Sequence, residues 1–106
     1  MTVPTDSDHS RETVIVNRRG LHARAAAKVA ALAEEFDAEI IVAANGVSAT
    51  ARSIMGLMLL AAGPGDPVRL AATGSDAVAA LDAMAALVDA GFDEDRDGCS
   101  GRESAD

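Results

Sequence analysis

Apolar positions along the chain switch between two periods, and the switches mark the elements. Thr13-Val14-Ile15-Val16 is a short β-branched run, which predicts a strand, and Asn17-Arg18-Arg19-Gly20 ends it. From Ala23 the period lengthens. Ala25, Val29, Leu32 and Phe36 recur at spacings of four, three and four, the buried stripe of a helix, with Arg24, Lys28 and Glu35 on the other face. The segment is also rich in alanine, the strongest helix former. Ala38–Ala44 reads as a strand, and Asn45-Gly46 after it is a hairpin signal that sends Val47–Ala51 back as its partner. Ser53 to about Leu60 is a short helix with Ile54, Leu57 and Met58 on one side. Gly63-Pro64-Gly65-Asp66-Pro67 is a turn cluster, and Val68–Ala72 is the last strand. Gly74 or Ser75 is expected to cap a final helix with the stripe Ala77, Leu81, Met84 and Val88, adjoined by Leu87. Gly91 suits the left-handed residue that ends this helix, and Phe92 can then fold back onto its last turn.

The order is βαββαβα, an α+β chain. Each helix has one apolar side that needs a sheet to cover, so the economical arrangement is a four-stranded antiparallel sheet with three helices packed on one face. A ferredoxin-like split βαβ fold is the near competitor, but the short helix at 53–60 fits it less well. At 106 residues, with 49% hydrophobic residues, the chain is one globular domain. Residues 12–92 are expected to form it. Residues 1–11, polar and containing Pro4 and His9, read as a mobile tail, and residues 93–106 as an acidic, disordered tail.

Charge then narrows the choice of partner. Net charge is −8, and residues 93–106 hold six carboxylates against Arg96 and Arg102. Arg18, Arg19, Arg24, Lys28 and Arg52 account for five of the six cations in residues 12–92. An acidic balance with Phe36 and Phe92 as the sole aromatics argues against nucleic acid. Apolar runs are interrupted well short of a membrane span, the N-terminus lacks a signal-peptide pattern, and one cysteine, Cys99, cannot form an internal disulfide. A cytoplasmic location without membrane insertion is expected.

Gly20-Leu21-His22-Ala23-Arg24 places a histidine where a strand gives way to a helix, with a cation two residues on. Taken alone, such a histidine reads as an N-cap or a solvated side chain. Together with Ser53-Ile54-Met55-Gly56-Leu57-Met58, and with the Asn45-Gly46 hairpin between, the stretch resembles HPr, the histidine-containing phosphocarrier protein of the bacterial phosphoenolpyruvate-dependent phosphotransferase system. The resemblance covers roughly residues 12–92. It implies an HPr-like open-faced β-sandwich. It also implies that His22 accepts a phosphoryl group on Nδ1 from phosphorylated enzyme I, with phosphoenolpyruvate as donor, and passes it to an enzyme IIA domain. On this resemblance Ser53 matches the serine modified by HPr kinase/phosphorylase, and Leu21, Ile54, Met55 and Met58 match the exposed patch that docks partners. Lys28 and Arg52 stand where members carry cations beside that patch. Such a protein is a covalent intermediate in a transfer chain rather than an enzyme.

The chemistry suits the residue types. A neutral imidazole is nucleophilic near pH 7, and phosphohistidine is labile enough to pass its group on. Unsatisfied N–H groups and the macrodipole at a helix start favour an attached anion by about 0.3–1 kcal/mol per interaction. Arg24 can reach transferring oxygens with its planar fork and stabilise their charge. Ser53 is also a standard N-cap residue, and a phosphate there would act through charge and bulk rather than by melting the helix. Met55 and Ile54 are expected to dock partners, with Leu57 and at least one methionine in the core. His22 has no partner ligand at usable spacing, so no metal site is expected, and no cofactor is called for. Two departures from the family pattern stand out. Ala25 occupies the usual proline position, and few lysines surround the motifs. The ending Gly91-Phe92-Asp93-Glu94-Asp95 looks like carriers of a nitrogen-related, mainly regulatory branch, whereas Ser53-Ile54-Met55-Gly56 looks more like the sugar branch. A ligand-sensing βα domain that is not phosphorylated is the alternative from another class.

Overall fold

The computed structural model describes residues 9–93. The elements run β1 (His9–Val14), α1 (Ala23–Ala33), β2 (Glu39–Ala44), β3 (Val47–Thr50), α2 (Ile54–Leu59), β4 (Pro67–Thr73) and α3 (Ala77–Asp89), followed by a 3₁₀ turn over Gly91–Asp93. The four strands form one antiparallel sheet in the order β1-β4-β2-β3. This is the βαββαβα open-faced arrangement the pattern predicts.

Strand alternation fixes which face is covered. Ile40, Val42 and Ala44 of β2 and Val68, Leu70 and Ala72 of β4 are buried, while Glu39, Ile41 and Arg69 between them are exposed. The core between sheet and helices gathers Ile15, Leu57, Leu60, Met84 and Phe92 as its largest fully buried side chains, along with Val68 and Leu70. The stripe Ala77, Leu81, Met84 and Val88 of α3 is buried as expected. On α1 the covered positions are Ala25, Ala26, Val29 and Ala33, with Leu32 and Phe36 only partly buried against them. Small alanines let α1 pack closely against α2 and α3, which moves the stripe by one position from that expected.

Three expectations need correction. β1 begins at His9, not near residue 13, so residues 9–11 and His9 itself belong to the sheet rather than to a tail. His9, Ser10 and Arg11 pair with Ala72, Ala71 and Leu70 of β4 although they carry no apolar alternation. α3 is capped by neither Gly74 nor Ser75 but starts from Asp76. The Asp76 carboxylate accepts the Asp37 N–H at 2.7 Å, while its own N–H donates to the Asp37 carbonyl at 3.1 Å, tying two loops together instead of capping α3 with its side chain. Both methionines of α2 are exposed, as described below. The tail expectations for residues 1–8 and 94–106 lie outside the described residues.

Two backbone features bear on the site. Asn45 (φ 54°) and Gly46 (φ 80°) both adopt the left-handed conformation that a two-residue type I′ hairpin turn requires. At the end of α3, Gly91 (φ 65°) and Phe92 (φ 57°) are both left-handed. For Phe92 that conformation costs about 1–2 kcal/mol, and burial of its ring, worth about 1.5–3 kcal/mol, offsets it. No helix among the described residues is long and apolar enough to cross a membrane.

Candidate functional site

The site begins with the loop that delivers His22 to α1. Asn17, buried, donates from Nδ2 to the Gly20 carbonyl at 2.9 Å, and the Gly20 N–H returns to the Asn17 carbonyl at 3.3 Å. Gly20 is left-handed (φ 68°), and a Cβ built on it would lie 2.4 Å from the Ala62 carbonyl oxygen and 2.9 Å from Gly63 Cα. Only glycine allows the loop to press against the segment after α2, where the Leu21 N–H donates to Ala62 O at 2.9 Å. Asn45 secures the other side of that segment, donating from Nδ2 to Leu60 O at 3.0 Å and Ala61 O at 3.3 Å.

His22 is then the N-cap of α1, with extended backbone (φ −85°, ψ −177°) and its carbonyl accepting the Ala26 N–H at 2.8 Å. Its Nδ1 accepts the backbone N–H of Arg24 at 3.3 Å. The ring therefore supplies the cap that a serine or aspartate usually supplies. That contact has a chemical consequence. A nitrogen that accepts an N–H bond carries an in-plane lone pair and no proton, so a neutral ring has its hydrogen on Nε2, which is buried. Nδ1 is thus the ring nitrogen that bears the in-plane lone pair. A group bonded to it would meet the N-terminal N–H groups of α1, where the macrodipole favours negative charge. Arg24, at the second helical position, is exposed and one turn before Lys28, whose Nζ donates to the Phe92 carbonyl at 2.7 Å.

α2 runs antiparallel to α1. Ala62, after its C-terminus, touches the start of α1, while Arg52, before its N-terminus, donates through Nη2 to Ala33 O at 3.3 Å and Phe36 O at 3.2 Å at the end of α1. Ser53 caps α2, its Oγ accepting the Gly56 N–H at 3.0 Å. A Cβ on Gly56 would sit 3.0 Å from both Ser53 Oγ and Ala49 Cβ, so glycine lets α2 lie close on β3. His22 and Ser53 therefore lie toward opposite ends of the α1–α2 pair. They do not share one pocket. Between them α2 presents Ile54, Met55, Met58 and Leu59, exposed by 43, 71, 42 and 68%.

Several expected site residues take other places. Leu21 is 7% exposed and packs in the core, so it anchors the loop rather than joining a docking patch. Neither methionine of α2 is in the core: Leu57 is its buried residue, and Leu60 at the C-cap is buried beside it. The Arg52 guanidinium is engaged by the last carbonyls of α1 and, at 3.6 Å, by Glu34, a C-terminal cap rather than a cation held out for a partner. Lys28 is likewise turned to the Phe92 carbonyl. Asn17, Gly20 and Leu59 contribute to the site in ways that the motif residues alone do not indicate. The Asn17-x-x-Gly20 turn was a visible signal for the first two, whereas the exposure of Leu59 follows only from the short length of α2.

The family model described as "PTS HPr component phosphorylation site" matches residues 9–90. The chain is 54% identical over 84 residues to phosphocarrier protein NPr of Shewanella violacea, covering 79% of this chain and 92% of that protein. It is 46% identical over 84 residues to phosphocarrier protein HPr of Cupriavidus necator, covering 79% and 94%. The fold matches the crystal structure of HPr-C-His from Thermoanaerobacter tengcongensis with a TM-score of 0.76 at 36% identity, over 81% of this chain and 97% of that one. It matches the phosphocarrier HPr of Bacillus anthracis at 0.72 and 39%, over 76% and 95%. The chain belongs to the HPr family of phosphocarrier proteins of the phosphotransferase system.

Proposed function

We propose that this protein accepts a phosphoryl group on His22 Nδ1 from phosphorylated enzyme I and passes it to an enzyme IIA domain, acting in the cytoplasm as a carrier rather than an enzyme. The observation that carries this reading is the Arg24 N–H bond to Nδ1, which leaves that nitrogen with its lone pair at the anion-favouring end of α1. In the transfer, the Nδ1 lone pair attacks phosphorus, the N–P bond forms, and the bond to the donor breaks with its electron pair on the donor. The Arg24 N–H then turns from ring nitrogen to phosphoryl oxygen, and the Arg24 guanidinium stabilises the charge spread over the transferring oxygens. Ala25, at the third helical position, keeps a backbone N–H that a proline would lack and adds a donor to the same end.

Ile54, Met55 and Met58, with Leu59, form the surface on which both partners dock in turn. Methionines suit a patch that re-packs against different partners. Ser53, at the edge of that patch, is the site for a regulatory phosphate added by HPr kinase/phosphorylase. A phosphate there keeps the capping bond and places a dianion in the docking surface, toward the end of the α1–α2 pair away from His22. The similarity to NPr of Shewanella violacea favours the nitrogen-related branch as the particular setting. Incubation with phosphoenolpyruvate and enzyme I tests the central reading. An intact-mass gain of one acid-labile phosphoryl group, absent in His22→Ala, is expected, and no gain with a competent enzyme I refutes it. Faster transfer onward to a nitrogen-branch IIA domain than to a sugar-branch one would assign the branch, and the reverse order would remove that assignment.

A further inference from the structure

Among the described residues, Thr13 and Asn17 are the two buried polar side chains, and they serve different ends. Thr13 donates through Oγ1 to the Asp89 carboxylate at 2.8 Å and so holds β1 to the end of α3. Asn17, 7% exposed, directs its amide at the loop that carries the chemistry. Its Nδ2 donates to the Gly20 carbonyl at 2.9 Å, and because that partner is a carbonyl, only the amide nitrogen can face it. Shielded from water, this bond has little solvent competition. The same carbonyl accepts the His22 N–H at 3.0 Å. One oxygen thus joins the Asn17 amide to the backbone of His22. Behind Asn17, Gly91 at the end of α3 leaves it room: a Cβ added there would be 3.4 Å from Asn17 Cβ. Beyond the loop, the ring has little tolerance for movement. The Arg24 N–H reaches Nδ1 at 3.3 Å, longer than the roughly 2.7–3.2 Å usual for an N–H donor, so a small shift of the His22 backbone releases it.

We propose that Asn17 is a positioning residue for phosphoryl transfer: through the Gly20 carbonyl it sets the His22 backbone, and with it the Nδ1 that meets the phosphoryl donor. The proposal rests on the carrier reading of His22. Without the amide, the Gly20 peptide is free to turn and the His22 N–H loses its fixed acceptor. The long Arg24 bond to Nδ1 then goes, and the ring takes both tautomers. A share of the molecules presents a protonated Nδ1, which has no lone pair with which to attack. The docking residues on α2 are untouched, so the loss falls on transfer rather than on recognition of the donor protein.

Three variants of the full-length chain separate positioning from stability. Asn17→Asp keeps the shape of the side chain and turns an acceptor on the Gly20 carbonyl. Asn17→Ala removes the group outright and gives the same reading should a carboxylate prove too costly to bury. Thr13→Val removes the other buried polar bond without touching the loop. Each is compared with the parent at a temperature where urea unfolding shows it folded. Nitrogen NMR of the His22 ring, which requires no phosphorylation, reads the tautomer. Labelling rates with enzyme I and phosphoenolpyruvate fixed and the carrier concentration varied separate kcat from KM. In the Asn17 variants the expected result is a mixed tautomer, a displaced Arg24 amide and a kcat about ten-fold lower, the factor one lost buried hydrogen bond supplies, with KM unchanged. Thr13→Val should lose stability and alter none of these. An unchanged tautomer or an unchanged kcat in the Asn17 variants overturns the proposal. The same changes in Thr13→Val also overturn it, because the effect is then a general loosening of the fold. If the parent is not labelled at all, it is the carrier reading that fails, and the tautomer comparison alone decides whether Asn17 positions the ring.

Discussion

Replacing Gly20 by alanine tests whether the His22 loop is keyed into the segment after α2. Two terms add at this position. The left-handed conformation (φ 68°) costs a residue with a Cβ about 1–2 kcal/mol. The new Cβ would also lie 2.4 Å from Ala62 O, a contact that two backbones must separate to relieve. Separation removes the Leu21 N–H to Ala62 O bond and loosens the Asn17 to Gly20 bond, each worth about 0.5–1.5 kcal/mol. The sum is roughly 2–5 kcal/mol. Gly65 provides the internal control: it is also left-handed (φ 87°) but a Cβ there meets nothing within 4 Å, so Gly65→Ala should cost only about 1–2 kcal/mol. Urea unfolding of both variants, read from midpoints at constant m, measures the difference. In thermal unfolding each additional kcal/mol corresponds to about 4–8 °C. Equal losses for the two variants would refute the argument, because the contact with Ala62 would then contribute nothing.

Phe92→Ala should destabilise the fold by about 3–5 kcal/mol in the same assay, since its ring is among the largest fully buried side chains, and a loss under 1 kcal/mol would show that the 3₁₀ turn does not close the core. Arg52→Met should cost about 1 kcal/mol of stability through the exposed end of α1, yet leave the rate of His22 phosphorylation unchanged. A slower rate at unchanged stability would return Arg52 to the docking surface. Ser53→Ala should cost about 1 kcal/mol through the lost cap to the Gly56 N–H, as measured by urea unfolding, and an unchanged midpoint would mean that α2 does not need that cap.

Element types, and the positions of His22 and Ser53, were legible in the sequence because they rest on local rules: stripe period, hairpin residues, caps within three positions of a helix start. What escaped depends on contacts between distant parts of the chain. β1 starts at His9 because β4 offers it a ladder, and nothing in His9-Ser10-Arg11-Glu12 announces that. Leu21 looked like a surface residue beside His22, yet the Gly20–Ala62 approach turns it into the core. Arg52 looked available until the antiparallel placement of α2 brought it to the last carbonyls of α1, 16 and 19 residues back. A short helix must bury part of itself, which predicts at least one methionine of α2 in the core. Leu57 and Leu60 alone satisfy that need, because Gly56 brings α2 close to β3 and leaves Met55 and Met58 outside.

The central claim is that Nδ1 of His22, held at the start of α1 by the Arg24 N–H, is the atom that carries the phosphoryl group. Long-range proton–nitrogen NMR of the His22 ring in the phosphorylated protein, recorded together with the Arg24 amide, examines that atom directly. The structure predicts phosphorus on Nδ1 and a large displacement of the Arg24 amide as its donor bond passes from ring nitrogen to phosphoryl oxygen. Phosphorus on Nε2, or on a residue other than His22, would contradict it.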